Sequence, residues 1–447
     1  MRGHVWRSIA AITALACGRG TGPTTPDPAQ LRAQLASLSP ATLPAPPPDR
    51  TNRVADNPAA AALGQKLFFN ASFSGRLIDG DNDGSSNALG VRGQTGRVSC
   101  AGCHVPASGF LDTRSFGEQA SLAAGWGQRR TPSLLDVGQS SILDWDGRRD
   151  STWSQFFGPL EATNEMNSSR LFFVQQLRAQ FKADYEKLFG ALPAFDDPTQ
   201  FPQLTAEQTG CTLPPGKSPV CHGQPGDGAE YDGLSAANQE AVTRAVANAG
   251  KAVGAYLRKL SCGPSRMDAF VHGDNSALSA SEQRGAAVFV GSGRCTLCHS
   301  GPFLSDEKFH DVGLHPVTVS VIVTDDNDLG AATGVPALLR DPLNSRGAFS
   351  DGDDGRLDTA AQQQLLGGFR TPKLRCVSLR PSFLHTAQLR SLDETVAFFD
   401  SGGNLGGYPG RNELLPLGLG ATERSDLVAF LRALDGPGPA AELLQQP

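Results

Sequence analysis

Apolar positions recur along this chain mostly at helical spacing. Val242, Val246, Ala249, Val253, Leu257 and Leu260 step by three or four residues, which predicts a long helix there. Ser279 and Glu282 form a capping box, the pattern that satisfies exposed N–H groups at a helix start, and open a helix leading to Cys295. Leu427, Phe430, Leu431 and Leu434 predict a last helix that stops at Gly436. Strand-like alternation is scarce, and Val317 to Val323 is its best candidate. A short apolar run, Ile9 to Ala16, follows Arg2 and Arg7 and ends at Cys17; no run approaches the ~20 residues of a membrane span. The chain reads as mainly α.

Composition adds the connections. Gly (51) and Pro (31) are abundant, so long irregular loops join the helices. Residues 197–235, rich in Pro, Gly and Gln, read as a surface insertion. Residues 1–17 read as a signal peptide, and Ala14-Leu15-Ala16-Cys17 resembles a bacterial lipobox. Cleavage before Cys17 would make it the lipid carrier, with the Pro-rich residues 18–58 as an extended linker. The expected location is the periplasm or cell envelope, with Cys17 as the candidate lipid anchor; secretion without lipid is the alternative. Lys+Arg is 39 and Asp+Glu 45, a net charge of −6, which argues against nucleic acid as a partner, since that requires a basic face.

The nine cysteines carry the chemistry. Cys100-Ala101-Gly102-Cys103-His104 and Cys295-Thr296-Leu297-Cys298-His299 are CxxCH motifs. Two thiols three residues apart reach both vinyl groups of one porphyrin, and the adjacent imidazole turns onto the iron, so each motif predicts a c-type haem. Zinc would want four ligands close together, and neither motif has a second pair nearby. The repetition predicts two related domains, residues 59–275 and 276–447, cut near 275. Besides Cys17, the motifs leave Cys211, Cys221, Cys262 and Cys376, most simply two disulfides in an oxidising compartment. The short Pro-containing loop favours Cys211–Cys221, which leaves Cys262–Cys376.

Further motifs follow in order: Leu63-Gly64-Gln65-Lys66-Leu67-Phe68-Phe69, Arg130-Thr131-Pro132, Trp145-Asp146-Gly147-Arg148, Gly158-Pro159-Leu160, Lys308-Phe309-His310, Phe369-Arg370-Thr371-Pro372 and His385. With the haem motifs, this series resembles the bacterial di-haem cytochrome c peroxidases and their MauG-like relatives from about Leu63 to Leu434. The resemblance implies two cytochrome c-like haem domains: an N-terminal peroxidatic haem and a C-terminal electron-transfer haem. It implies Glu165 as the acid–base residue, Gln155 as a distal amide and Trp145 as the indole between the haems. Hydrogen peroxide is the expected substrate, with electrons from a small cytochrome c or cupredoxin. One alternative is MauG-like oxidation of a residue, often tryptophan, in a partner protein. Another is a non-catalytic di-haem electron carrier.

The chain departs from the family pattern in three places. Typical members close the N-terminal haem with a loop histidine; here the stretch is Ala123-Ala124-Gly125-Trp126-Gly127, and no histidine lies between His104 and His222. This predicts an open peroxide site. The expected Met or Tyr ligand of the C-terminal haem is Phe399, which cannot ligate iron, so His310 and His385 become candidate donors or that haem is also five-coordinate. At a family calcium ligand stands Arg130. Asp79, Asp81 and Asp83, in a DxDxDG loop, are separate candidate calcium ligands because alternate oxygens around a glycine turn suit that ion. Asp351, Asp353 and Asp354 are a weaker cluster of that sort.

Overall fold

The computed structural model describes residues 24–114, 120–214, 216–314, 328–363, 365–404 and 409–447. The leader with His4 and Cys17, the strand candidate Val317 to Val323 and His315 lie outside them. The main helices are α1 (Pro28–Leu35), α2 (Pro58–Phe69), α3 (Arg170–Phe189), α4 (Ala236–Leu257), α5 (Ala280–Val290), α6 (Ala331–Arg340), α7 (Leu392–Ser401) and α8 (Ala421–Arg432). Among the described residues the strands are two or three residues long and pair as antiparallel hairpins or links, so the architecture is mainly α. No helix of the described residues is long and apolar enough to cross a membrane.

The helix predictions hold with small shifts at the ends. α4 covers the predicted stripe and stops at Leu257, with Leu260 buried just beyond it. The capping box at Ser279 and Glu282 opens α5. α8 ends at Arg432, and Leu434 packs into the core after it.

Two helix pairs organise two large cores. α2 crosses α4 so closely that a Cβ at Gly64 would collide with the Ala252 carbonyl. α5 crosses α8 in the same manner, with Gly285 against the Asp426 carbonyl. Each glycine lies just ahead of a buried aromatic ring, Phe68 in α2 and Phe289 in α5. Glycine is required at both crossings because only a hydrogen fits between the backbones. The first core gathers Leu63, Leu67, Phe68, Phe110, Trp153, Phe173, Val246 and Tyr256. The second gathers Met267, Phe289, Leu304, Leu392, Leu427 and Phe430.

Residues 18–58 are not uniformly the extended linker expected. Asp27 caps α1 through the N–H groups of Ala29 and Gln30, and Pro28 sits where its missing N–H costs nothing. Leu31, Leu35 and Leu38, at helical spacing, are buried in the second core. The Pro-rich run after them stays irregular but is strapped down: Arg258 donates to the carbonyls of Pro46 and Pro47, and Gln139 to that of Pro44.

Both expected disulfides are present, Cys211–Cys221 across a small hairpin and Cys262–Cys376 over a separation of 114 residues. Next to the second, Arg375 is fully buried and donates to both oxygens of Asp268 (2.7 and 3.0 Å), whose carboxylate also accepts from Ser39 (2.7 Å). The guanidinium holds Asp268 well below the usual carboxylate range despite its burial. Removing one partner of a buried pair strands the other charge, so Asp268→Ala is expected to lower unfolding free energy by about 3–5 kcal/mol in urea denaturation of the haem-loaded protein.

Candidate functional site

The first motif lies on a one-turn helix, Cys100–Cys103, capped by the Ser99 hydroxyl. The chain then turns through Gly109 and Phe110, both left-handed, and presents the Phe110 carbonyl to His104 Nδ1 at 3.1 Å. A carbonyl can only accept, so Nδ1 carries the proton and Nε2 keeps the lone pair that iron needs. The second motif repeats this device: Leu304 is left-handed and its carbonyl stands 2.8 Å from His299 Nδ1. Burial pushes both imidazoles down to about 4, which keeps them in the neutral, ligating form. It also pushes Cys100 and Cys295 up to about 12.

Each motif opens onto a cavity. The first encloses about 640 Å³ and the second about 520 Å³, within the ~300–1,000 Å³ of buried ligand sites. Arg129, Arg130 and Arg148 line the first, and Arg294, Arg370 and Arg380 the second, supplying cations that suit the carboxylate edge of a porphyrin. Paired thiols, a neutral imidazole with a fixed tautomer and a guanidinium-edged cavity all fit a covalently held haem at each place.

The structure brings Glu165, Gln155 and Trp145 to the wall of the first cavity, with Cys100, Cys103 and His104. Glu165 is held through its backbone. The hairpin of β1 (Ser121–Leu122) and β2 (Trp126–Gly127) donates Ala124 N–H to the Glu165 carbonyl (2.9 Å) and Gly125 N–H to that of Asn164 (2.9 Å). Burial raises the Glu165 carboxyl above its ordinary range; Arg148 opposes this and Asp144 adds to it. Gln155 ends a one-turn helix, Thr152–Gln155, capped by Ser151.

Trp145 and Arg130 line both cavities and form their shared wall. Trp145 donates its indole N–H to the Arg130 carbonyl (2.7 Å), and the Arg130 guanidinium lies 5.2 Å from the ring centre. Across the boundary the bonds are reciprocal. Arg130 N–H donates to the His385 carbonyl (2.6 Å), and Arg370 N–H donates to the Trp145 carbonyl (2.8 Å). Arg130 Nε reaches the Leu384 carbonyl, and Arg370 Nε that of Asp144. Each Arg-Thr-Pro segment thus makes equivalent bonds to the opposite half, and His385 takes the place in one half that Trp145 takes in the other. Left-handed residues follow at matched positions, Asp136, Asp144 and Gly147 against Cys376, Leu384 and Ala387. The twice-written Arg-Thr-Pro was the sequence signal for this clasp, which the linear reading did not pair.

Around the second cavity, both ring nitrogens of His310 are engaged by carboxylates. Its Nδ1 faces Glu413 at 2.8 Å and its Nε2 faces Asp306 at 2.9 Å; Asp306, then the Cys298 thiol, then Glu413 raise it to about 11 against burial. His385 is buried, stacks on Phe369 (3.5 Å between centroids) and lines the cavity, as does Phe399.

The candidate calcium loop does not gather its carboxylates. Asp79 accepts from Asp81 N–H, Asp83 from Ser85 N–H, and Asp81 from the Trp126 indole (2.8 Å). Among the described residues no three His, Cys, Asp or Glu side chains converge on a metal position. Asp351 is taken by Lys251 and Arg53, and Asp353 and Asp354 by Arg346 and Arg356.

Comparison with known proteins agrees with this geometry. Residues 58–209 match the family described as di-haem cytochrome c peroxidase. The methylamine utilization protein MauG of Methylorubrum extorquens is 27% identical over 395 residues, spanning 87% of this chain and 82% of that protein. The cytochrome-c peroxidase IdrP1 of Denitromonas iodatirespirans is 28% identical over 401 residues, spanning 86% and 84%. Among solved structures, the diheme peroxidase BthA of Burkholderia thailandensis shares the fold, with a TM-score of 0.58, 21% identity and coverage of 90% and 98%. Haem staining after denaturation should show covalent haem on the wild type; the double variant Cys100→Ser, Cys103→Ser should keep only the C-terminal haem, halving the pyridine haemochrome per chain.

Proposed function

We propose that this chain, a di-haem cytochrome c peroxidase-like oxidoreductase, reduces hydrogen peroxide in the cavity of His104, with electrons relayed from the C-terminal haem. The observation that supports this best is the gathering of Glu165, Gln155 and Trp145 around the cavity of the first CxxCH motif. The two domains would be residues 59–275 for peroxide and 276–447 for electron entry. A signal peptide at 1–17 would export the chain, with Cys17 as a lipid anchor.

When bound, the haem supplies the iron on which peroxide docks and the electrons that open the O–O bond. The residues supply the rest. Glu165, with its carboxyl raised by burial, takes the proton from the inner peroxide oxygen and returns it to the outer one, which leaves as water. The Gln155 amide holds the oxygen pair by hydrogen bonding. Trp145 fills the shared wall and offers the path between the two haems. The electron donor would be a small cytochrome c or cupredoxin.

A second reading, oxidation of a residue in a partner protein, is favoured by the lack of a histidine in the stretch Ala123-Ala124-Gly125-Trp126-Gly127, where typical peroxidases place a closing one. It shares the open peroxide site and differs in where the oxidising equivalents go.

Glu165→Gln should lower the rate of peroxide reduction by about 10²-fold or more with haem content unchanged, measured by stopped-flow at the Soret band. Because Glu165 must be ionised to accept the first proton, the acidic limb of the pH–rate profile should lie above the usual carboxylate range and vanish in that variant. EPR of the ferric protein should show a high-spin signal that disappears on one equivalent of peroxide without prior reduction. Two low-spin signals unmoved by peroxide would instead indicate a carrier or a peroxidase that must first be half-reduced.

A further inference from the structure

The described residues hold three tryptophans, each with a different partner for its indole N–H. Trp153 lies in the first core, outside the cavity, and donates to the Thr51 hydroxyl (3.1 Å). Trp145 donates to a backbone carbonyl beneath a guanidinium. A carbonyl cannot take the proton of an oxidised indole, and a cation over the ring opposes loss of an electron. Trp126 differs in the partner of its N–H, which is a carboxylate. It lines the first cavity, is 7% exposed, and donates to Asp81 Oδ2 at 2.8 Å. Asp81 is exposed on the outer side of its loop. The loop is fixed to the hairpin: Ile78 and Asp79 N–H both donate to the Ala124 carbonyl (2.8 and 3.0 Å), and the Asn82 amide donates to that of Ala123 (3.0 Å).

From this geometry we propose that Trp126 and Asp81 form a proton-coupled redox relay joining the peroxide cavity to the surface, separate from Trp145 and the C-terminal haem. The proposal rests on the peroxide reading of the His104 cavity. Reduction of hydrogen peroxide to two waters takes two electrons and two protons. One electron would come from the haem held at His104, and the two protons from solvent. The Trp126 ring gives the other electron, and its Nε1 proton crosses to the Asp81 carboxylate, leaving a neutral indolyl radical and a carboxylic acid. A one-electron reductant of the phenol or ascorbate class, arriving at the exposed loop 79–83, returns an electron to the ring, and Asp81 returns the proton. The electron taken from the haem would be replaced from the C-terminal side. The relay also gives the DxDxDG loop a role that needs no metal.

The test mixes the haem-loaded protein with one equivalent of hydrogen peroxide and follows both the Soret band and rapid freeze-quench EPR. The wild type should give a neutral tryptophan radical. Trp126→Phe should lose it, and Asp81→Asn, which keeps the ring, should form it about 10²-fold more slowly. A Soret response with the same radical in both variants, or with no tryptophan radical in the wild type, overturns the relay and leaves the peroxide reading intact. No Soret response in the wild type overturns both. Should Trp126→Phe fail to take up haem, Asp81→Asn decides alone, and unchanged radical kinetics there refute the proposal.

Discussion

The reciprocal clasp by which each Arg-Thr-Pro segment holds the opposite half is the constraint on which the site depends. Arg130 and Arg370 each hand a backbone N–H to a carbonyl of the opposite half, at His385 and Trp145. Backbone bonds of this kind do not vary with side-chain rotamer, so they set the spacing of the two cavities directly. Trp145 cannot leave the shared wall while its carbonyl holds Arg370 and its indole holds the Arg130 carbonyl. Under the proposed function, a relay between the two cavities would need a fixed distance more than a particular side-chain contact, and the clasp fixes it.

The same economy governs each haem place. A left-handed residue, Phe110 or Leu304, turns one carbonyl onto the ligating imidazole and so chooses its tautomer. Such a backbone is strained for a bulky side chain, and it persists here at two equivalent points, where it orients a ligand. The glycine crossings at Gly64 and Gly285 then press a helix pair against each place.

The haem places were legible in the sequence because covalent attachment demands particular residues at fixed spacing. Glu165, Gln155 and Trp145 were legible only as a series in order, since an isolated glutamate or glutamine carries no signal of where it points. The clasp was hidden because carbonyls have no letter. The calcium expectation finds no gathered ligand set among the described residues, for a related reason. DxDxDG serves equally well for carboxylates that fold back onto their own N–H groups, as Asp79 and Asp83 do, or outward onto an indole, as Asp81 does. The first part of the linker was misjudged because proline and alanine dominate its composition, while three leucines at helical spacing dictate its packing.

The docking of α1 bears on how the chain assembles as it emerges. Apart from Cys376, the buried residues of the first core lie between Leu63 and Cys262, so that core has nearly all its parts once this stretch is made. The second core joins Leu31, Leu35 and Leu38 to residues as late as Leu434, and must wait for the end of the chain. The earliest segment first meets a surface for its leucines when residues 266–290 are made, because α1 packs on α5 and on the short helix Arg266–Val271. Assembly is therefore sequential, with one half able to close early and the last helix completing the second core by packing on α5.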